Sequence, residues 1–364
     1  MNALETRLRE MIAAEGPLPL DRYMALALTD SEHGYYTRGD GIGAAGDFIT
    51  APEISQMFGE LVGLWMADMW RRMGMPWDAV IVELGPGRGT LMADALRAIA
   101  RGEPAFAENR EIWLVEASPR MREMQRERLA GYDLHFADRF EDVPKRPMIL
   151  IANEFLDALP VRQLLRRERQ WRERAVGLEG DDLVIVEIDP ATDIPPGLPP
   201  LPDGEIIEVA PARNAVAQAI GGSVAERGGA ALVIDYGHEV TAPGDTLQAM
   251  KRHAFHPLLE APGEADLTAH VDFAAAANAA ERAGAEVHGP IGQRQFLLRL
   301  GIEARLAQLL KRAEGETADG LAAGFRRLTD PAHMGHLFKV LCIADPKLGV
   351  PTGYVADEAF RNAS

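Results

Sequence analysis

Cysteine is almost missing: Cys342 is the single one in 364 residues. One thiol closes no disulfide within the chain and builds no cysteine zinc cluster. It stands in the apolar run Val340-Leu341-Cys342-Ile343, the setting of a buried core thiol. Positive charge is also scarce. Lys and Arg number 38 against 55 Asp and Glu, for a formal net charge of -17. Such a chain offers no general basic surface to nucleic acid, although it can attract a basic protein or peptide. No apolar stretch is long enough to cross a bilayer, so no membrane insertion is expected. Residues 1–30 carry Glu5, Glu10, Glu15 and Asp21 without a secretory or transit pattern, and the expectation is a cytoplasmic protein. His253 and His256 lie close together and His270 stands near Asp266 and Asp272. No third ligand follows at a standard spacing, so no metal site is expected.

What the chain does have is concentrated in residues 80–90, VIVELGPGRGT. The apolar run Val80-Ile81-Val82 ends in Glu83-Leu84, a turn Gly85-Pro86-Gly87-Arg88-Gly89 follows, and Thr90 opens a helical pattern with Leu91, Ala95, Leu96 and Ile99. Strand, glycine turn and helix in this order point to an open α/β sheet with a ligand at the carboxyl end of the first strand. A dinucleotide fingerprint requires glycine where Thr90 stands. The Gly-x-Gly-x-Gly spacing after an acidic strand end suits S-adenosylmethionine better, because that ligand has no pyrophosphate and its sulfonium is a cation that Glu83 tolerates. A second glycine cluster, residues 41–46, matches the dinucleotide expression literally but has no preceding strand. It reads as a flap that folds Asp47 over the cofactor.

Along the chain, residues 1–15 and 22–28 read as helices. Thr50-Ala51-Pro52-Glu53 reads as a capping box before a helix carrying Ile54, Phe58, Leu61, Val62, Trp65 and Met69. Strands are expected at 80–84, 112–116, 134–136, 148–152, 230–235, 287–291 and 340–343. Residues 161–225 interrupt the alternation, with 206–209 expected to pair with 183–188. The expected organisation is an N-terminal helical segment and flap over 1–78 and a discontinuous core over 79–160 and 226–345. An insertion at 161–225 covers one side of the site, and a tail runs over 346–364. The fold class is α/β, Rossmann-like, with a mostly parallel sheet.

Position suggests roles for single residues. Gly85, Pro86, Gly87 and Gly89 would pass under the cofactor, and Glu116 at the second strand end offers two acceptor oxygens to its ribose hydroxyls. Asp138, after the third strand, is placed for the adenine amine, with a turn-forming Asp as the alternative. Asn153, Glu154 and Asp157 follow the fourth strand, where acceptor-binding residues belong. Asp157 has the alternative of capping the next turn. Carboxylates there would fix a guanidinium, which is always charged and a poor nucleophile. Asp235 and Tyr236 are candidates for lining the acceptor channel.

Five blocks then stand in order: residues 46–56 (GDFITAPEISQ), 83–90 (ELGPGRGT), 153–161 (NEFLDALPV), 235–238 (DYGH) and 266–273 (DLTAHVDF). In these blocks the chain resembles the MidA-type family, which includes the mitochondrial complex I assembly-factor methyltransferase. The likeness runs from the second helix almost to the C-terminus. It implies a class I S-adenosyl-L-methionine-dependent methyltransferase fold and a protein arginine N-methyltransferase producing symmetric dimethylarginine. The implied partner is a complex I subunit, and the eukaryotic relatives act in the mitochondrial matrix. The family tolerates other residues at the position of Asn153, so Glu154 and Asp157 carry more weight. A homodimer is compatible with this reading. Two alternatives remain: a methyltransferase for another amine or amide acceptor, and a non-catalytic assembly chaperone that keeps the cofactor for stability.

Overall fold

The computed structural model describes residues 2–38, 49–108, 110–355, 358 and 360. Contacts divide the chain into two compact units. The sheet unit joins Ile49–Leu156, Val216–Glu239 and Phe273–Ser364, and the hairpin unit joins Met1–Phe48, Asp157–Ala215 and Val240–Asp272.

Seven strands of the sheet unit lie side by side. They are β1 (Val80–Leu84), β2 (Glu111–Val115), β3 (Asp133–Ala137), β4 (Met148–Asn153), β5 (Gly229–His238), β6 (Glu286–Gly292) and β7 (Phe338–Ala344). Their spatial order is β6-β7-β5-β4-β1-β2-β3. All neighbours from β5 to β3 are parallel, and β7 runs antiparallel between β5 and β6. Each apolar run expected to form a strand does so. Every residue of β1 and of β4 is buried, which is why these segments show no polar alternation: helices and loops cover both faces of a parallel sheet. The strand order reverses between β1 and β4, where Leu84 pairs with Ala152. A crevice at such a switch point is where open α/β sheets bind ligands.

Two helices set the first crossover. Helix α1 (Gln56–Arg72) buries Phe58, Leu61, Trp65 and Met69, and α2 (Thr90–Gly102) buries Leu91, Leu96 and Ile99. They approach at backbone distance. A Cβ on Gly63 would lie 2.5 Å from the Ala95 carbonyl oxygen, so only glycine permits the contact. The expected capping box is corrected. Thr50 stands at the N-cap without a side-chain bond, and Glu53 reaches away from its own helix, as described below.

The hairpin unit has its own core of Leu4, Leu8, Leu20, Tyr23, Met24, Val176 and Leu267. Its larger sheet is antiparallel. Leu18–Pro19 and Asp182–Ile188 both pair with Gln170–Glu179, which pairs with Arg162–Arg167, which in turn pairs with Ile206–Val209. The expected pairing of 206–209 with 183–188 is therefore wrong. Both segments alternate, so pattern alone gave no partner, and each pairs with a different strand. Arg162 faces Val209, and its guanidinium forks onto Glu173 at 2.8 and 2.9 Å, both side chains being buried. A second sheet of three short strands, Gln248–Lys251, Ala254–His256 and Asp266–Thr268, belongs to the same unit.

Candidate active site

The glycine turn forms a cradle at the end of β1. Gly85, Gly87 and Gly89 have φ of 60°, 50° and 74°, values at which a side chain is strained. The Gly89 amide donates to the Pro86 carbonyl at 2.8 Å, closing the turn. Two carboxylates flank it. Glu116, one residue past β2, accepts from the Ser118 amide at 2.8 Å and from Gln125 Nε2 at 3.2 Å. Burial raises its pKa, and these two donors oppose the rise. The same Gln125 nitrogen donates to the Gly87 carbonyl at 2.6 Å. Gln125, on helix α3 (Pro119–Arg128), thus ties the cradle to Glu116, a role sequence reading missed because the helix is otherwise dominated by charge.

Glu83 is buried at 2% exposure, and its Oε2 has no hydrogen-bond partner. Burial pushes its pKa from an ordinary 4.5 up to about 8. An orphaned buried carboxylate oxygen beside a glycine-rich turn fits a cationic ligand with polar donors, and a sulfonium nucleoside carrying an amino group is one. The residues that would hold it are Glu83, Gly85, Gly87, Gly89 and Glu116. When bound, that cofactor supplies an electrophilic methyl group.

The Glu83 carboxyl makes a prediction with a definite sign. Its folded pKa lies above the unfolded one. Between pH 4.5 and about 8 the folded protein holds a proton that the unfolded chain releases, so stability falls as pH rises through that window. Glu83→Gln should abolish this slope, up to ~1.4 kcal/mol per pH unit, in thermal unfolding of cofactor-free protein. A cation at Glu83 favours the ionised form. Wild-type affinity for S-adenosyl-L-methionine, followed by calorimetry, should therefore climb severalfold from about pH 6 to about pH 8. The affinity of the glutamine variant should stay flat.

Asp138 is exposed and pairs with Arg122 at 2.7 Å. Asp47 and the expected flap lie outside the described residues.

At the end of β4, Glu154 adopts φ 50°, an uncommon conformation for a non-glycine residue. Its amide donates to the Ile234 carbonyl at 2.8 Å. Its Oε1 accepts from the Ala51 amide at 3.0 Å and from Asn153 Nδ2 at 3.2 Å. Asn153 is thus a buried neighbour that orients Glu154. Phe155 covers the cradle: a Cβ on Gly85 would lie 2.8 Å from its Cδ2. Asp235 is fully buried and accepts from the Leu156 and Tyr236 amides at 2.9 Å each. It shapes the loop after β4.

Glu53 proves to be a strut. It accepts from the Thr90 hydroxyl at 3.2 Å and lies 3.9 Å from Arg88, while Arg128 donates to the same hydroxyl at 2.7 Å. The segment before α1 therefore touches both halves of the crevice, the cradle through Glu53 and the β4 end through Ala51.

Asp157 belongs to the hairpin unit and is buried at 6% exposure. Its carbonyl accepts from Arg213 Nη2 at 2.8 Å and from the Ala269 amide at 3.1 Å. Of the histidines, His256 contacts the Glu260 carbonyl at 3.0 Å, and no group of three or more metal-type ligands gathers among the described residues.

Comparison with known proteins agrees with this geometry. A family profile described as S-adenosyl-L-methionine-dependent methyltransferase matches residues 61–291. The chain is 37% identical to the mitochondrial protein arginine methyltransferase NDUFAF7 of Danio rerio, over 92% of this chain and 85% of the relative. With the mitochondrial NDUFAF7 homolog of Drosophila melanogaster it shares 38% identity over 94% and 84%. Among solved structures, a Burkholderia thailandensis protein bound to S-adenosyl-homocysteine superimposes with a TM-score of 0.83 at 28% identity, covering 98% of this chain and 95% of that one. The fold is that of class I methyltransferases, and the chain belongs to this family of S-adenosyl-L-methionine-dependent methyltransferases.

Proposed function

We propose that the protein is a protein arginine N-methyltransferase that forms symmetric dimethylarginine on a subunit of respiratory complex I during assembly. The observation that carries this reading is Glu154, a carboxylate fixed at the strand end beside the glycine cradle. A carboxylate there can hold a guanidinium in plane and concentrate its charge away from the attacking nitrogen. The names of the relatives, protein arginine methyltransferases of mitochondria, support the acceptor class. Symmetric dimethylarginine takes two such transfers, one to each terminal nitrogen, and each forms one N–C bond, breaks one S–C bond of one cofactor molecule and releases one proton from the guanidinium. Asp157 and Glu116 keep the roles expected above, and Asn153 serves the acceptor site by orienting Glu154. Cytoplasmic residence is part of the same proposal.

The test is the methylome. Cells with and without the protein are compared by mass spectrometry after labelling with methyl-labelled methionine. The expected result is a symmetric dimethylarginine on a complex I subunit that disappears with the protein. A labelled glutamine or small amine instead would name a different acceptor. Unchanged labelling with failed complex I assembly would favour a non-catalytic chaperone.

A further inference from the structure

We propose that Asp157, Asp266, Thr268 and Tyr36 of the hairpin unit form the recognition site for the acceptor guanidinium; this rests on the arginine reading above. Asp266 and Thr268 are alternate residues of the strand Asp266–Thr268, so their side chains share one face. Met250 and Gln248 stand opposite them on the neighbouring strand. Asp266 is buried at 8% exposure, and its Oδ1 accepts from the Tyr36 hydroxyl at 2.8 Å. Tyr36 also feels Asp157. Burial first, then Asp266 and Asp157, hold its phenol well above the usual range, so Tyr36 remains a neutral donor to Asp266.

The observation that points to a ligand is Thr268. Thr268 is 2% exposed, and its hydroxyl has no hydrogen-bond partner among the described residues. A buried hydroxyl left so is destabilising, and an incoming N–H donor removes that cost. A guanidinium is all donor, with its N–H groups in a planar fork. Two carboxylates and a hydroxyl are the acceptors it needs, whereas a lysine ammonium is compact and lacks the fork. The frame is stiff. Arg213, itself buried, donates to the carbonyls of Asp157 at 2.8 Å, Leu159 at 3.2 Å, Ala269 at 3.1 Å and His270 at 2.6 Å. Such a clamp holds residue 157 in fixed register with the turn after Thr268. Along the chain, Asp157 follows Glu154 by three residues.

The experiment uses the full chain saturated with S-adenosyl-homocysteine, titrated with N-acetyl-L-arginine amide and with N-acetyl-L-lysine amide. The wild type should bind the arginine probe at least about tenfold more tightly than the lysine probe. Asp266→Asn should weaken the arginine probe about tenfold and Thr268→Val about threefold. Both should keep wild-type affinity for S-adenosyl-homocysteine, which reports an intact fold. If both variants bind the arginine probe as the wild type does, the site is overturned and the arginine reading stands. If the wild type prefers the lysine probe, both fall.

Discussion

Glu154→Gln should lower turnover about 10²-fold while leaving affinity for S-adenosyl-homocysteine unchanged. Glutamine keeps the volume and one acceptor oxygen, so the bonds from the Ala51 amide and Asn153 can persist. What it removes is the negative charge. A guanidinium becomes nucleophilic only when its positive charge is drawn away from one nitrogen, and a charge-assisted hydrogen bond is worth about twice a neutral one. The loss should appear in kcat rather than in KM, because the interaction strengthens as the nitrogen pyramidalises. The left-handed φ of 50° adds an argument. Strain of about 1–3 kcal/mol at a non-glycine residue persists where the surroundings over-determine it, and it gathers at functional positions. Full turnover in Glu154→Gln, measured with methyl-labelled cofactor and the acceptor identified by the methylome, would remove Glu154 from the mechanism.

Gly85→Ala should cost about 10²-fold in cofactor affinity and lower turnover as well. Two effects combine. Alanine at φ 60° is strained, and its Cβ would stand 2.8 Å from Phe155 Cδ2. The ring must turn aside, and Phe155 is bonded to Glu154. A single methyl therefore perturbs the cradle and the catalytic carboxylate at once. Gly131→Ala is the control, since its Cβ would meet nothing within 4 Å although its φ is also positive, at 97°. The control should lose stability without losing cofactor. Equal cofactor affinity in Gly85→Ala and wild type, measured calorimetrically, would show that the ring moves without consequence.

The central strands β1 and β4 were legible in the sequence because burial on both faces writes each as a nearly unbroken apolar run. The glycine turn was legible because three left-handed positions leave little choice of residue. The three-stranded sheet around Gln248–Lys251 was not. Its strands are three or four residues long, too short for a period to register. Helix Glu316–Thr329 was missed for another reason. It includes Gly320 and Gly324 and has only Gly324, Leu328 and Thr329 buried, so it shows neither good propensity nor a full apolar stripe. The roles of Glu53 and Gln125 depend on partners tens of residues away. Local pattern sees Glu53 as a cap, because a capping box and a strut use the same residue. Asp235 was expected in the acceptor channel, yet it is fully buried and holds amides of the neighbouring loop.

The antiparallel strand β7 carries a consequence for biogenesis. It enters between β5 and β6, and within the seven-stranded order β6 touches only β7. Strand β5 ends at His238 and β7 begins at Phe338. During vectorial synthesis the open flank of β5, lined by Ala231, Val233 and Ile234, must wait for about a hundred more residues to be translated. An unfilled apolar flank of that kind is a template for mispairing with another nascent chain. Premature termination between residues 292 and 338 would therefore delete one strand, orphan a second and leave a sticky stump.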